Sequence, residues 1–179
     1  MVIMEFYRNR KKSINLLLIY SGILILMLLI LLYSSGLFNG EVIAKGIAFS
    51  AVFSLILGFV LIKTLISLND KSPLIVLSPE GITAKVTAVS KAAGLISWKD
   101  ISDLEINKVG GDTLITLVVN NPGKYTPLIR KKLSAMALDN AKDNDGELLI
   151  YLTASVLDVD AHELFDSIKT YRAQINQVH

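Results

Sequence analysis

Two long apolar stretches and then a series of short alternating ones divide this chain. No charged residue occurs from Ser13 to Gly40, and Ile14 to Tyr33 is almost entirely Leu and Ile. A second uncharged run extends from Gly46 to Ile62 and continues past Lys63 to Leu68. Twenty helical residues rising about 1.5 Å each cover about 30 Å, the hydrocarbon thickness of a bilayer. The pattern therefore predicts two transmembrane helices, at about residues 13–35 and 44–68. A secretory signal fits the first run poorly, because signal cores are about 7–15 residues long and end at an A-x-A-like site. Lys63 lies near the end of its segment, where its apolar stem lets the ammonium reach the headgroups.

Beyond residue 70 the period shortens. Leu74–Leu77 is an apolar run ended by the turn Ser78-Pro79-Glu80-Gly81. Ile82, Ala84 and Val86 alternate with polar residues, as in a half-buried strand. A small-residue loop, Ser90 to Gly94, leads to Leu95-Ile96-Ser97-Trp98. Leu104 and Ile106 alternate in a further strand. Gly110-Gly111 reads as a hairpin turn and Asp112–Val119 as its returning strand. Asn120-Asn121-Pro122-Gly123 should end that strand, with Gly123 at positive φ. Thr126-Pro127 resembles a cap followed by Pro at the first helical position, predicting a helix to about Asp139 with Leu128, Leu133, Met136 and Ala137 on one face. Glu147–Thr153 reads as a strand. A last helix is announced by Asp160 with Glu163 three residues on and by the Val159/Leu164 staple, and Leu164, Ile168, Tyr171 and Ile175 share its apolar face. The fold class is α+β. A two-helix hairpin (with the basic N-terminal tail, residues 1–69) precedes an antiparallel sheet or partial barrel capped by a C-terminal helix (residues 70–179).

Composition sharpens this division. The chain of 179 residues is 52% apolar and 19% charged, and it has no cysteine, which excludes disulfides, thiolate metal sites and a cysteine nucleophile. Residues 1–69 hold six basic and two acidic side chains, whereas residues 70–179 hold twelve and fourteen. Arg8, Arg10, Lys11 and Lys12 precede the first apolar run, Lys63 and Lys71 close the second, and the loop between the runs carries only Glu41 and Lys45. The positive-inside rule places both termini in the cytoplasm, giving a multi-pass protein of the cytoplasmic (inner) membrane. Tyr7 and Tyr33 suit the interfacial belts.

Gly46, Ser50, Ser54 and Gly58 recur every fourth residue, a small-residue stripe that permits close helix packing within the chain, in a homo-oligomer or against a partner's helix. No ionisable residue lies at the centre of either span, which argues against transport. Arg130-Lys131-Lys132 is the basic run of the C-terminal half. Together with Arg8, Arg10, Lys11 and Lys12 it is a candidate for contact with anionic headgroups, each cation contributing about 1 kcal/mol.

Catalytic and cofactor signatures are missing. His162 and His179 have no metal-site spacing, Gly110-Gly111 is no phosphate loop, and no G-x-S-x-G frames a serine. Asp139, Asp143, Asp145 and Glu147 imitate only part of a calcium loop and read as a solvated turn. Trp98 is expected in the core. A C-terminal half that is net acidic and poor in aromatics makes nucleic acid an unsuitable partner. No enzyme activity and no cofactor are expected.

Three short segments carry a resemblance: Leu77-Ser78-Pro79-Glu80-Gly81-Ile82, Ser97-Trp98-Lys99-Asp100-Ile101, and Leu164-Phe165-x-x-Ile168-x-x-Tyr171. Together they resemble small bacterial membrane proteins with two N-terminal helices and a cytosolic pleckstrin-homology-like domain, whose Trp-x-Asp-Ile segment helps define the sheet. The inserted helix after Thr126 departs from a minimal barrel. The resemblance implies a binding or regulatory module without an assigned ligand. Together with the membrane anchor and the missing catalytic signatures, it leads to the expectation of the lipid bilayer and a protein as partners near the inner leaflet. A bacterial immunity protein that neutralises a toxin is the other expectation. Specific phosphoinositide binding is disfavoured, since only Pro79, Glu80 and Gly81 join what read as the first two strands.

Overall fold

The computed structural model describes residues 2–38, 40–142 and 146–178. It divides into two compact units, one formed by residues 10–71 and the other by the N-terminal nine residues together with 72–179.

The helical unit is an antiparallel pair, α1 (Arg10–Ser34) and α2 (Ala44–Asn69). Both are long and apolar enough to cross a membrane, with mean hydropathies of 2.8 and 2.3. Along α1 a line of less exposed positions is spaced alternately by four and three residues: Ser13, Leu17, Tyr20, Leu24, Met27, Leu31 and Ser34. On α2 the same alternation runs through Ile47, Ser50, Ser54, Leu57, Leu61, Thr64 and Leu68. This is the 3.5-residue seam of a left-handed helix pair. Most of the other Leu, Ile, Val and Phe side chains point outwards and are exposed, as a lipid-facing surface requires. Some hydroxyls of these helices bond back to their own backbone: Ser50 Oγ donates to Gly46 O at 2.6 Å and Thr64 Oγ1 to Val60 O at 2.8 Å. At the hairpin base the Arg10 guanidinium donates to Leu68 O at 3.4 Å, placing a cation at the negative end of α2.

The second unit contains two antiparallel sheets. The first has the order β1 (Met4–Phe6), β2 (Ile75–Ser78), β3 (Gly81–Ala84) and β4 (Leu95–Ser97). The second has the order β5 (Ile101–Val109), β6 (Asp112–Val119) and β7 (Leu148–Thr153). Strand β1 corrects the assignment of the whole N-terminal tail to the anchor. Met4, Glu5 and Phe6 pair with Leu77, Val76 and Ile75, and Phe6 enters the core. Asn9 N–H donates to Val156 O and Asp158 N–H to Tyr7 O, so the tail is held up to the residue before α1. The hairpin is thus spliced between two neighbouring strands of one sheet. The strands flanking Pro79 and Glu80 are consequently the second and third, not the first and second.

Local chemistry accounts for the remaining elements. Gly81 closes the β2–β3 turn with its Cα against the β4 backbone; an added Cβ would lie 2.7 Å from Ile96 C and 2.9 Å from Ser97 Cα. Gly110 takes φ +61° in the β5–β6 hairpin, a turn conformation that suits glycine. The small-residue loop expected from Ser90 to Gly94 is instead the greater part of helix α3 (Ala88–Ala93) and its cap Gly94. Thr87 Oγ1 accepts from Ser90 N–H at 3.2 Å while Thr87 N–H donates to Ser90 Oγ at 3.1 Å, a capping box with Ser in the third position.

The helix expected from Thr126 to Asp139 is two helices, α4 (Pro122–Arg130) and α5 (Ala135–Asp139). Pro122, at the first helical position, starts α4 five residues before Pro127, so Gly123 is helical and not at positive φ. The buried positions are Tyr125, Ile129 and Leu138, whereas Leu128 and Met136 are 47% and 75% exposed. The expected apolar face was therefore displaced by the earlier start and by the break at Lys131–Ser134. Helix α6 (Ala161–Val178) follows the expected cap, with Asp160 Oδ1 accepting from Glu163 N–H at 2.9 Å. Leu164, Ile168, Tyr171 and Ile175 are all buried on its inner face. It packs on β5 and β6, while α3 touches β3, β7 and α4.

Candidate functional site

The most polar part of the interior lies at the corner between the two sheets. Trp98–Asp100 forms one 3-10 turn between β4 and β5, which buries Trp98 and Asp100. Trp98 Nε1 donates to Ser78 O at 2.8 Å, and its ring lies 5.9 Å from that of Tyr171 on α6. Asp100 Oδ2 accepts from Tyr125 OH at 2.6 Å and from Lys124 Nζ at 2.7 Å, both on α4. Tyr125 OH in turn accepts from Ser97 N–H at 3.1 Å, while Asn120 N–H donates to Asp100 O. The ammonium of Lys124 and then the phenol of Tyr125 hold the Asp100 carboxyl below its ordinary range, against the opposing effect of burial. The same carboxylate raises Lys124. Every strong donor around Asp100 is thus used to tie β4, β5 and α4 together. The cluster is a structural clasp, and it gives a physical role to the Trp98-Lys99-Asp100-Ile101 segment.

Among the described residues, clefts open on the surface of this unit. One, of about 550 Å³, lies between β1 and the exposed side of α6 and is lined by Met4, His162, Glu163, Asp166, Thr170 and Gln174 among others. A second, of about 360 Å³, lies between the β2–β3 turn and α6, with Glu80, Lys99 and Arg172 at its rim. A third, of about 380 Å³, has an almost wholly apolar lining: Ala88 and Ala92 of α3 and Leu133 after α4, flanked by Lys91 and Lys132. Among the described residues no three His, Cys, Asp or Glu side chains converge as a metal set. His162 is exposed in the first turn of α6, while His179, Asp143 and Asp145 lie outside the described residues.

The basic residues expected at a membrane surface fall into three groups. Arg130, Lys131 and Lys132 are exposed at the end of α4 and just beyond it. Arg10, Lys11 and Lys12 are exposed on the first turn of α1, with Arg10 engaged at the hairpin base. Arg8 is half-buried, and its backbone bridges Leu157 in the folded unit. In the small-residue stripe, Ser50 is fully buried on the seam and an added Cβ on Gly46 would lie 3.0 Å from Ser34 Cβ. Ser54 also lies on the seam, its hydroxyl buried without a hydrogen-bond partner. Gly58 has nothing within 4 Å of an added Cβ. A four-residue repeat precesses around a helix by about 40° per step, so Gly46 and Gly58 are about 120° apart. Only the middle of the stripe can follow a straight seam.

The clasp and the third cleft carried no local signal. Asp100 and Tyr125 are separated by a strand hairpin. The cleft depends on α3, whose Thr87–Ser90 cap could have been found in the sequence only by accepting Ser in place of Glu or Gln. No family model matches this chain, and neither a curated protein nor a solved structure matches it.

Proposed function

We propose that this chain is a non-enzymatic, membrane-anchored binding protein. Its folded unit is a pleckstrin-homology-like module that engages a protein partner beside the inner leaflet. The observation carrying this reading is the splice: β1 before the hairpin and β2 after it are neighbours in one sheet. A hairpin that crosses a bilayer twice returns the chain to the side it left. The sheet thereby accounts for both flanks being on one side without reference to charge, and the basic flanks make that side the cytoplasm. Connections of three residues (7–9) and five residues (70–74) tether the module at both ends of the hairpin.

Four antiparallel strands, then three, then a C-terminal helix support the pleckstrin-homology-like reading. In this arrangement the hairpin itself fills the connection between the first two strands, so that connection is the anchor and not a free ligand-binding loop. The conspicuous buried charge, Asp100, is consumed by the structural clasp, which favours binding over catalysis.

The test is purification of the full chain from its native membrane in mild detergent, with mass spectrometry of what remains bound. A stoichiometric protein is the expected result, and a secreted toxin in that position would make the chain an immunity factor. A chain that retains lipid alone, or a preparation that turns over a substrate, overturns the reading.

A further inference from the structure

The two segments that build the α3–α4 cleft have an unusual charge distribution. Between Glu80 and Asp100 there is no acidic residue, but Lys85, Lys91 and Lys99 occur. Between Asp112 and Asp139 there is again none, and Lys124, Arg130, Lys131 and Lys132 occur. All fourteen carboxylates of residues 70–179 lie outside these two segments, in a region that is acidic as a whole. The cleft between them is lined by three apolar residues, Ala88, Ala92 and Leu133, and by two cations, Lys91 and Lys132. Lys132 Nζ donates one hydrogen bond, to Ala92 O at 3.3 Å, which leaves two of its three protons for a ligand. Close in sequence to Lys132 and Leu133, Leu128 and Met136 expose apolar side chains on either side of the Arg130–Lys132 run.

A lining of apolar residues and cations matches a molecule that is apolar at one end and anionic at the other. Exposed apolar side chains among cations are the composition of an interfacial membrane-binding element. We propose that this cleft binds an anionic phospholipid, with the headgroup phosphate between Lys91 and Lys132 and the upper acyl chain over Ala88, Ala92 and Leu133. Leu128 and Met136 then insert at the bilayer surface. The proposal rests on reading the helices as a membrane hairpin, which makes such lipid available to the module at high local concentration.

The absence of cysteine permits a single probe. The full-length Met136→Cys chain, labelled with a polarity-sensitive fluorophore, is placed in nanodiscs of phosphatidylcholine alone or of phosphatidylcholine with phosphatidylglycerol. The expected result is a blue shift only with phosphatidylglycerol, together with retention of phosphatidylglycerol in native mass spectrometry. Lys91→Gln and Lys132→Gln should each weaken that preference about fivefold, as expected for one surface cation. Lys91→Arg and Lys132→Arg should retain it, with unchanged Trp98 emission reporting an intact fold. Identical emission in the two discs, or a preference that survives both Gln substitutions, overturns the proposal. So does displacement of the effect onto soluble polyglutamate, which would assign the cleft to an acidic protein segment. Incorporation into both kinds of disc separates any such failure from a failure of the membrane reading.

Discussion

Replacing Asp100 by Ala removes one carboxylate and leaves two donors without their acceptor, and the two are not equivalent. Tyr125 is buried to 1% exposure, so its hydroxyl cannot turn to water. A buried hydroxyl left unsatisfied costs about 1–3 kcal/mol. The Lys124 side chain is 47% exposed, so its head is rehydrated and the lost ion pair adds little to the cost. The expected destabilisation is about 2 kcal/mol, or about 8 °C in the unfolding midpoint of a domain of this size.

The effect must also depend on pH. Asp100 titrates lower in the folded state than when unfolded, so between the two values only the unfolded chain carries the proton and stability rises with pH. Its electrostatic contribution is therefore complete above the unfolded value of about 3.9 and is lost as pH falls through the depressed folded value. Urea titration of the full chain in detergent, followed through Trp98, reports this corner directly because Trp98 is the sole tryptophan. The gap between the native chain and Asp100→Ala should narrow in acid. Lys124→Met removes the largest cause of the shift and should flatten the acid limb of the native profile. Stability curves that run parallel through the acid range would refute the clasp.

Other substitutions test the packing. Gly81→Ala should destabilise the folded unit by about 3 kcal/mol, because the new methyl meets the Ile96–Ser97 backbone and no side chain can yield; a midpoint in urea unchanged from the native chain contradicts this. Gly46→Ala should weaken the helix pair by about 1–3 kcal/mol against Ser34, whereas Gly58→Ala should be neutral or stabilising by up to about 1 kcal/mol. Denaturation of the helical hairpin in mixed detergent, followed by circular dichroism, distinguishes the two; equal effects would show that the seam does not set the contact.

What the sequence disclosed follows the range of the interactions. The helices expected at about 13–35 and 44–68 occur at Arg10–Ser34 and Ala44–Asn69, since length and hydropathy are properties of the segment itself. The Gly110-Gly111 hairpin and the α6 face were equally legible, being governed by neighbours within a few residues. Strand β1 was hidden because its partner lies about seventy residues away, beyond two helices, and because basic residues follow it and drew the tail towards the anchor. Helix α3 was hidden by small residues whose capping role depends on Ser90 acting where Glu or Gln is usual. For α4 the signal existed in Asn121-Pro122, but Thr126-Pro127 offered a competing start. Of the candidate residues, Arg130, Lys131 and Lys132 are exposed beside an apolar cleft that no local pattern could have assembled.

The central claim is that the hairpin crosses the membrane and returns the chain to a module on the cytoplasmic side. Single cysteines at Glu5 in β1, Leu37 between the helices and Ser155 after β7 test it in intact cells with a maleimide that cannot cross the membrane. All three positions are exposed in the structure. The account predicts that only Leu37→Cys is labelled from outside, while Glu5→Cys and Ser155→Cys react after the cells are opened. Labelling of Glu5→Cys or Ser155→Cys in intact cells would contradict it.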